Sequence, residues 1–232
     1  MSKILIATPT ADTLEPKTSA WRESIAHRYR DRIKFADLTD LGVIAVGRPV
    51  DFVRNNFVRI TKAGDFSHLF LLDSDCEPPL DAIDRLLALN VPLATGCYPV
   101  WMQQGLRWAL ANFDSDRRSR LFEWLPSLTE PFEVDAGGAG CLLIRRDVFN
   151  KVKWPWFKWV EKEDGTQESE DIFFFRKCNE AGMRVMADPQ VIVNHFKKLN
   201  ITDLMRMVMR SPRQGTESQE GHGQKQRSPG AV

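Results

Sequence analysis

Residues His68 to Pro79 read HLFLLDSDCEPP: four apolar residues, then Asp73, Ser74 and Asp75, then a pair of prolines. So short an apolar run bounded by turn residues reads as a buried strand, and Pro78 and Pro79 forbid its extension. The two carboxylates therefore stand at the carboxyl end of a core strand. Side chains two apart on an extended strand project to the same side, so Asp73 and Asp75 converge on one point if strand geometry persists that far. Such a pair is costly unless a positive charge sits between them.

The flanking sequence supplies the frame. Lys3 to Thr8 (KILIAT), stopped by Pro9, reads as a first buried strand, and a helix is expected over Ser19 to Arg32. A second helix fits Pro49 to Ala63: Val50, Val53, Phe57 and Ile60 recur at helical spacing, Pro49 opens it and Gly64 follows its end. Its other, polar face carries Arg54, Asn55 and Arg59. Strand His68 to Leu72, helix Leu80 to Leu89 and strand Leu93 to Cys97 come next. This alternation is that of a layered α/β fold with a largely parallel sheet.

Further on, Trp108 to Phe113 and Ser119 to Trp124 read as antiparallel additions, and Cys141 to Ile144 as a strand after a glycine cluster. Ser169 is placed to cap a helix over Glu170 to Ala181 that Gly182 ends. Val185 to Ala187 and Val191 to His195 read as short strands around an Asp188-Pro189 turn, and Ile201 to Arg210 as a closing amphipathic helix. From Ser211 the chain holds no aromatic residue and reads as a disordered polar tail, which leaves one domain over residues 1–210.

Composition narrows the function classes. Of 232 residues, 43% are apolar and 27% charged, as in ordinary globular proteins. Lys and Arg total 32 against 31 Asp and Glu, so no global basic field points to nucleic acid. No transmembrane run occurs, and the N-terminal stretch turns polar too early for a signal-peptide core, so a cytoplasmic protein is expected. The closing helix sets Leu204, Met205 and Val208 against Arg206 and Arg210, a pattern that suits packing on the domain or peripheral contact with a membrane. Cys76, Cys97, Cys141 and Cys178 form no CxxC pair and are expected as free thiols.

In open α/β sheets, ligands bind beyond the carboxyl ends of the strands. A divalent cation, Mn²⁺ or Mg²⁺, would relieve the repulsion between Asp73 and Asp75 and bridge to nucleotide phosphates. On the residues alone, capping of the turn or of the next helix explains the triplet equally well. Gly137, Gly138 and Gly140 precede a strand, whereas a dinucleotide or Walker loop needs a helix N-terminus. They suit either a close approach of a ligand or a tight turn. In WPWFKW, Trp154, Trp156, Phe157 and Trp159 offer an aromatic acceptor gate, although core packing explains at least two of them.

An apolar strand ending in DSD, the block VDAGGAGCLLIRRDVFNKV (Val134 to Val152) and the block ESEDIFFFRKCNEAGMRVMADPQVIVNH (Glu168 to His195), in this order, resemble nucleotide-sugar glycosyltransferases of the GT-A type, close to glycosyltransferase family 2. The resemblance runs from about Lys3 to His195. It implies a GT-A three-layer sandwich with a mostly parallel mixed sheet, a nucleotide-sugar donor, a hydroxyl acceptor and a divalent cation.

By that resemblance, Asp75 and His195 ligate the cation. Asp73 joins them as a candidate ligand or contacts the donor ribose, with Ser74 a donor contact beside it. Asp171 is the general base, and Glu170 holds the acceptor or supports the loop. Thr8 and Pro9 face the nucleobase, Arg54 and Asn55 reach the base or diphosphate, and Asp135 and Gly138 approach the sugar. Read from the residues alone, His195 is as well an ordinary packed histidine, Glu170 and Asp171 favourable charges at a helix start, and Arg54 part of a solvated face.

The chain departs from the family pattern after the second strand, where Asp37 and Asp40 (FADLTD) replace a clear acidic motif for the base. Small size leaves little room for an acceptor domain, which points to a partner protein or a second subunit completing that site. Two other functions remain open. Nucleotidyl transfer uses a similar sheet, though ATPTADTLEPK lacks a glycine-rich, basic loop. The other is a non-catalytic module that binds nucleotide sugars.

Overall fold

The computed structural model describes residues 3–10, 13–36, 48–102, 105–198, 201–202 and 205. Asp37 and Asp40, most of Ile201 to Arg210 and everything from Ser211 lie outside the described residues. The chain divides after Phe196, and the elements below belong to the unit that ends there.

In chain order the elements are β1 (Ile4–Ala7), α1 (Pro16–Tyr29), β2 (Ile33–Ala36), α2 (Val50–Ala63), β3 (His68–Leu72), β4 (Cys76–Glu77), α3 (Ala82–Ala88) and β5 (Leu93–Cys97). Then come β6 (Pro99–Met102), β7 (Gly105–Phe113), β8 (Ser119–Phe122), β9 (Phe132–Val134), β10 (Ala136–Gly137), β11 (Cys141–Arg145) and α4 (Val148–Lys151). The last are β12 (Val160–Glu161), β13 (Gln167–Glu168), α5 (Glu170–Glu180), β14 (Val185–Ile192) and β15 (Asn194–His195).

Among the described residues the central sheet has seven strands in the order β2-β1-β3-β11-β5-β14-β9. β1 lies parallel to β2 and β3, and β14 parallel to β5, whereas β11 runs antiparallel between β3 and β5. Alternation along the strands makes two cores. Leu5, Leu69, Leu71, Leu142 and Ile144 face Phe57 of α2, Phe149 of α4 and Phe174 of α5. Ile4, Ile6, Phe70, Leu72 and Leu143 face Trp21 and Ile25 of α1 and Ile83 of α3. The result is helix, sheet, helix, as expected. Each fully buried Phe or Leu contributes about 1.5–3 kcal/mol against the cost of ordering the chain.

The differences from sequence expectation have local causes. α1 starts at Pro16, whose fixed φ suits a first helical turn, and it stops where Arg30 takes a φ of 43°. β14 is one irregular strand where two were expected. The Asp188 carboxylate accepts hydrogen bonds from Arg85 and from the Gln190 N–H, so the Asp-Pro pair forms a register shift inside the strand. Asn194 and His195 then leave the central sheet and pair with β4.

Candidate functional site

The acidic triplet behaves differently from a continued strand. β3 ends at Leu72, and the Cys76 N–H donates to the Asp73 carbonyl at 3.1 Å, which closes a turn over residues 73–76. The expected convergence of Asp73 and Asp75 is thereby lost. Asp73 Oδ1 accepts from Arg54 Nη2 at 2.7 Å, while Asp75 Oδ2 lies 3.6 Å from His195 Nε2. Asp73 therefore pairs with an arginine rather than joining Asp75 and His195 around one point. Ser74 lends its carbonyl to the Glu15 N–H at 2.9 Å.

Arg54 too lies elsewhere than its helix face suggests. The face of α2 that carries it is turned inward, and the residue is 4% exposed. Its guanidinium also binds the Glu170 carboxylate, joining the turn after β3 to the first turn of α5. Burial opposes its charge, but Asp73 and Glu170 outweigh burial and push its pKa above the ordinary arginine value. Glu170 is equally buried, and burial raises its carboxyl to about 7, with Arg54 pulling the other way. Adjacent Asn55 is buried as well. Its amide donates to the Asp51 and Phe157 carbonyls, and its oxygen accepts from the Trp156 and Phe157 N–H groups. With these contacts Asn55 holds the aromatic turn instead of facing a ligand. In that turn Trp156 and Phe157 are core, while Trp154 and Trp159 are exposed.

Asp75, Cys76 and His195 present a carboxylate oxygen, a thiol and an imidazole nitrogen within 4.8 Å of one another. The antiparallel pairing of β4 with β15 sets His195 directly opposite Cys76. His195 Nδ1 sits 2.8 Å from the Pro99 carbonyl, which can only accept, so Nδ1 carries a proton, and Nε2 is the ring nitrogen that faces Asp75. Donor chemistry and imidazole orientation both fit a divalent cation. The sequence reading passed over Cys76 because no second cysteine lies near it in the chain; its ligating neighbours are Asp75 and a histidine 119 positions later (195 − 76).

Tyr98 is the other residue that pattern missed. Its ring meets His195 edge-on at 5.2 Å, and its hydroxyl accepts from the Gly140 N–H at 2.9 Å. Burial, reinforced by Asp73, keeps its phenol neutral far above the ordinary range. A Cβ on Gly138 would stand 1.9 Å from the Tyr98 hydroxyl, and one on Gly140 would stand 2.8 Å from that hydroxyl and 3.0 Å from Asp73 Oδ2. The glycine cluster thus admits the phenol to the backbone.

Tyr98 also lines a cavity of about 880 Å³ between β7, β8, β10 and the β12–β13 hairpin. Gly138, Trp159 and Asp171 reach this cavity, whereas Asp73, Asp75, His195 and Glu170 do not. The cavity and the acidic turn are neighbours with Tyr98 between them. Ser169, expected to cap α5, donates its hydroxyl to the Asp171 carboxylate instead of accepting a helix N–H. Asp135 is engaged by β7, its carboxylate accepting from the Phe113 N–H at 2.7 Å. Thr8 and Pro9 are buried where β1 ends, and Thr8 Oγ1 is a buried hydroxyl with no protein partner.

No family model matches the sequence, and no curated protein matches it. Among solved structures the fold is similar to A197 from STIV, with 16% identity, a TM-score of 0.55, and 84% of this chain and 86% of that one covered. It is similar also to the glycosyltransferase GalNAc-T7, solved with UDP, GalNAc and Mn²⁺, with 13% identity, a TM-score of 0.53 and 86% of this chain covered. The match spans 44% of the GalNAc-T7 chain, less than half its length. Identities this low speak for fold: the sandwich is GT-A-like, and membership of family 2 finds no matching model. Among the described residues no helix is long and apolar enough to cross a membrane.

Proposed function

We propose that the chain is a cation-dependent glycosyltransferase that moves a sugar from a nucleoside diphosphate sugar to a hydroxyl acceptor with inversion. One observation carries the reading: Arg54 bridges Asp73 and Glu170, and the residue after Glu170, Asp171, opens onto the cavity. An acidic strand end, a helix start and an accessible carboxylate are thereby held by one buried cation.

In this reading the donor lies across the ends of β1 and β3, where the buried Thr8 hydroxyl offers a polar contact. Asp75 and His195 would hold a divalent cation, which supplies positive charge to the departing diphosphate. The acceptor occupies the cavity. Asp171 takes the proton of its hydroxyl as that oxygen bonds to the anomeric carbon, and the carbon–oxygen bond to the diphosphate breaks. Glu170 and Arg54 position the helix start and touch neither substrate. Tyr98 separates the phosphate side from the acceptor side and excludes water between them.

Phosphorus NMR of the full chain incubated with a panel of nucleotide sugars and Mn²⁺ tests this. Release of nucleoside diphosphate, by transfer or by slow hydrolysis, supports the reading. Pyrophosphate released in a parallel incubation with nucleoside triphosphates and a sugar 1-phosphate would point to nucleotidyl transfer, and donor binding without any product to a binding module.

A further inference from the structure

The cation position of the proposed enzyme is built from donors of unlike chemistry. Cys76 opens β4 opposite His195 on β15, and cross-strand partners in an antiparallel pair project to one side. Cys76 Sγ lies 3.9 Å from Asp75 Oδ1, and His195 Nε2 lies 3.6 Å from Asp75 Oδ2. Zinc binds thiolate at about 2.3 Å and imidazole or carboxylate at about 2.0–2.2 Å, which sets tetrahedral donors roughly 3.3–3.7 Å apart. These two separations, each to a different Asp75 oxygen, are near that geometry, and one donor atom from each of the three residues lies within 4.8 Å of the others. Three protein donors leave one tetrahedral position for a diphosphate oxygen, as catalytic zinc sites do.

We infer that Cys76 completes an oxygen, sulfur and nitrogen donor set with Asp75 and His195, and that this set selects Zn²⁺ over Mn²⁺ and Mg²⁺. Thiolate is a soft ligand that favours zinc, whereas carboxylate and water suit magnesium and manganese. The remaining cysteines lie outside the group. Burial pushes their thiols upward, Cys97 to about 12 and Cys141 and Cys178 above the ordinary value for the same reason. The inference rests on the reading that this site holds a cation, but its test reads the metal and not sugar transfer.

The experiment is a titration of the full chain with Co²⁺, a spectroscopic substitute for zinc, followed by its near-ultraviolet absorption. A thiolate-to-cobalt charge-transfer band is expected in the wild-type protein, absent in Cys76→Ser and retained in Cys97→Ser. Zn²⁺ removes the band stoichiometrically, and Mn²⁺ at equal concentration does not. Cys76→Ser weakens zinc by about tenfold or more and leaves manganese within about threefold. Should Cys76→Ser fail to fold, the wild-type spectrum decides alone, with His195→Ala expected to move the visible cobalt bands. No band in the wild-type protein overturns the inference and leaves Cys76 a packing residue, and equal competition by Mn²⁺ overturns the selection of zinc. A cobalt–thiolate band without release of nucleoside diphosphate keeps the donor set and removes the transfer reading. Release with Mn²⁺ and no band does the reverse.

Discussion

The acidic turn after β3 and the cavity walled by β7 and β8 meet at Tyr98, yet they handle charge in opposite ways. In the turn after β3, Asp73 is part-buried and Arg54 and Glu170 are buried, and Arg54 binds both carboxylates. Around the cavity Arg118, Lys162 and Asp164 are exposed, and Arg120 forms a surface pair with Asp114. Exposed pairs are worth about 0–1 kcal/mol, whereas removing one member of a buried set costs about 3–5 kcal/mol. The fold therefore fixes the geometry at the strand ends and leaves the rim of the cavity tolerant of substitution.

The largest effect is expected where the two regions join. Asp171→Asn should lower the rate of nucleoside diphosphate release by about 10²–10⁴ while the thermal midpoint hardly moves, because the residue lines the cavity and is only partly buried. Equal losses of rate and stability would make Asp171 part of the rigid side. Arg54→Met strands the buried Glu170 carboxylate and leaves the part-buried Asp73 without its arginine, and should cost about 3–5 kcal/mol in denaturant melts. A cost below about 1 kcal/mol would erase the contrast between the regions.

Gly138→Ala comes next. Its Cβ would fall 1.9 Å from the Tyr98 hydroxyl, and overpacking of this kind costs about 1–3 kcal/mol in the same melts. A milder effect follows from Glu170. Its folded-state carboxyl is raised by burial to about 7, so the folded protein keeps a proton there that the unfolded chain releases in the ordinary carboxylate range. Stability should fall as pH rises between those two limits, and thermal melts of Glu170→Gln should lack that slope. Lys162→Ala should change stability by less than about 0.5 kcal/mol and alter only the KM for acceptor. A larger loss of stability would show that the cavity wall is as constrained as the strand ends.

Much of the frame was legible because it is local. β3 and β5 are bounded as their apolar runs are, and Gly182, at a φ of 68°, ends α5 where a glycine C-cap was expected. The trio of Asp75, the start of α5 and His195 was legible as separate motifs. Their true connections were not, since each depends on a partner far along the chain. Arg54 reads as surface until Glu170, 116 residues away, meets it inside. Asp73 and Asp75 read as one pair because period-2 alternation cannot foresee a turn closed by the Cys76 N–H. Tyr98 carries no motif at all, and only the three-dimensional crowding at Gly138 and Gly140 reveals what it does.

The most direct measurement is calorimetric titration of nucleoside diphosphates into the full chain with a saturating divalent cation, with EDTA, and into Asp75→Ala with the cation. The account predicts that at least one nucleotide binds the wild-type protein with the cation. The same nucleotide should bind about tenfold or more weaker with EDTA, and Asp75→Ala with the cation should match the wild-type protein without it. Binding of equal strength in all three conditions, or no binding by any nucleotide, would contradict it.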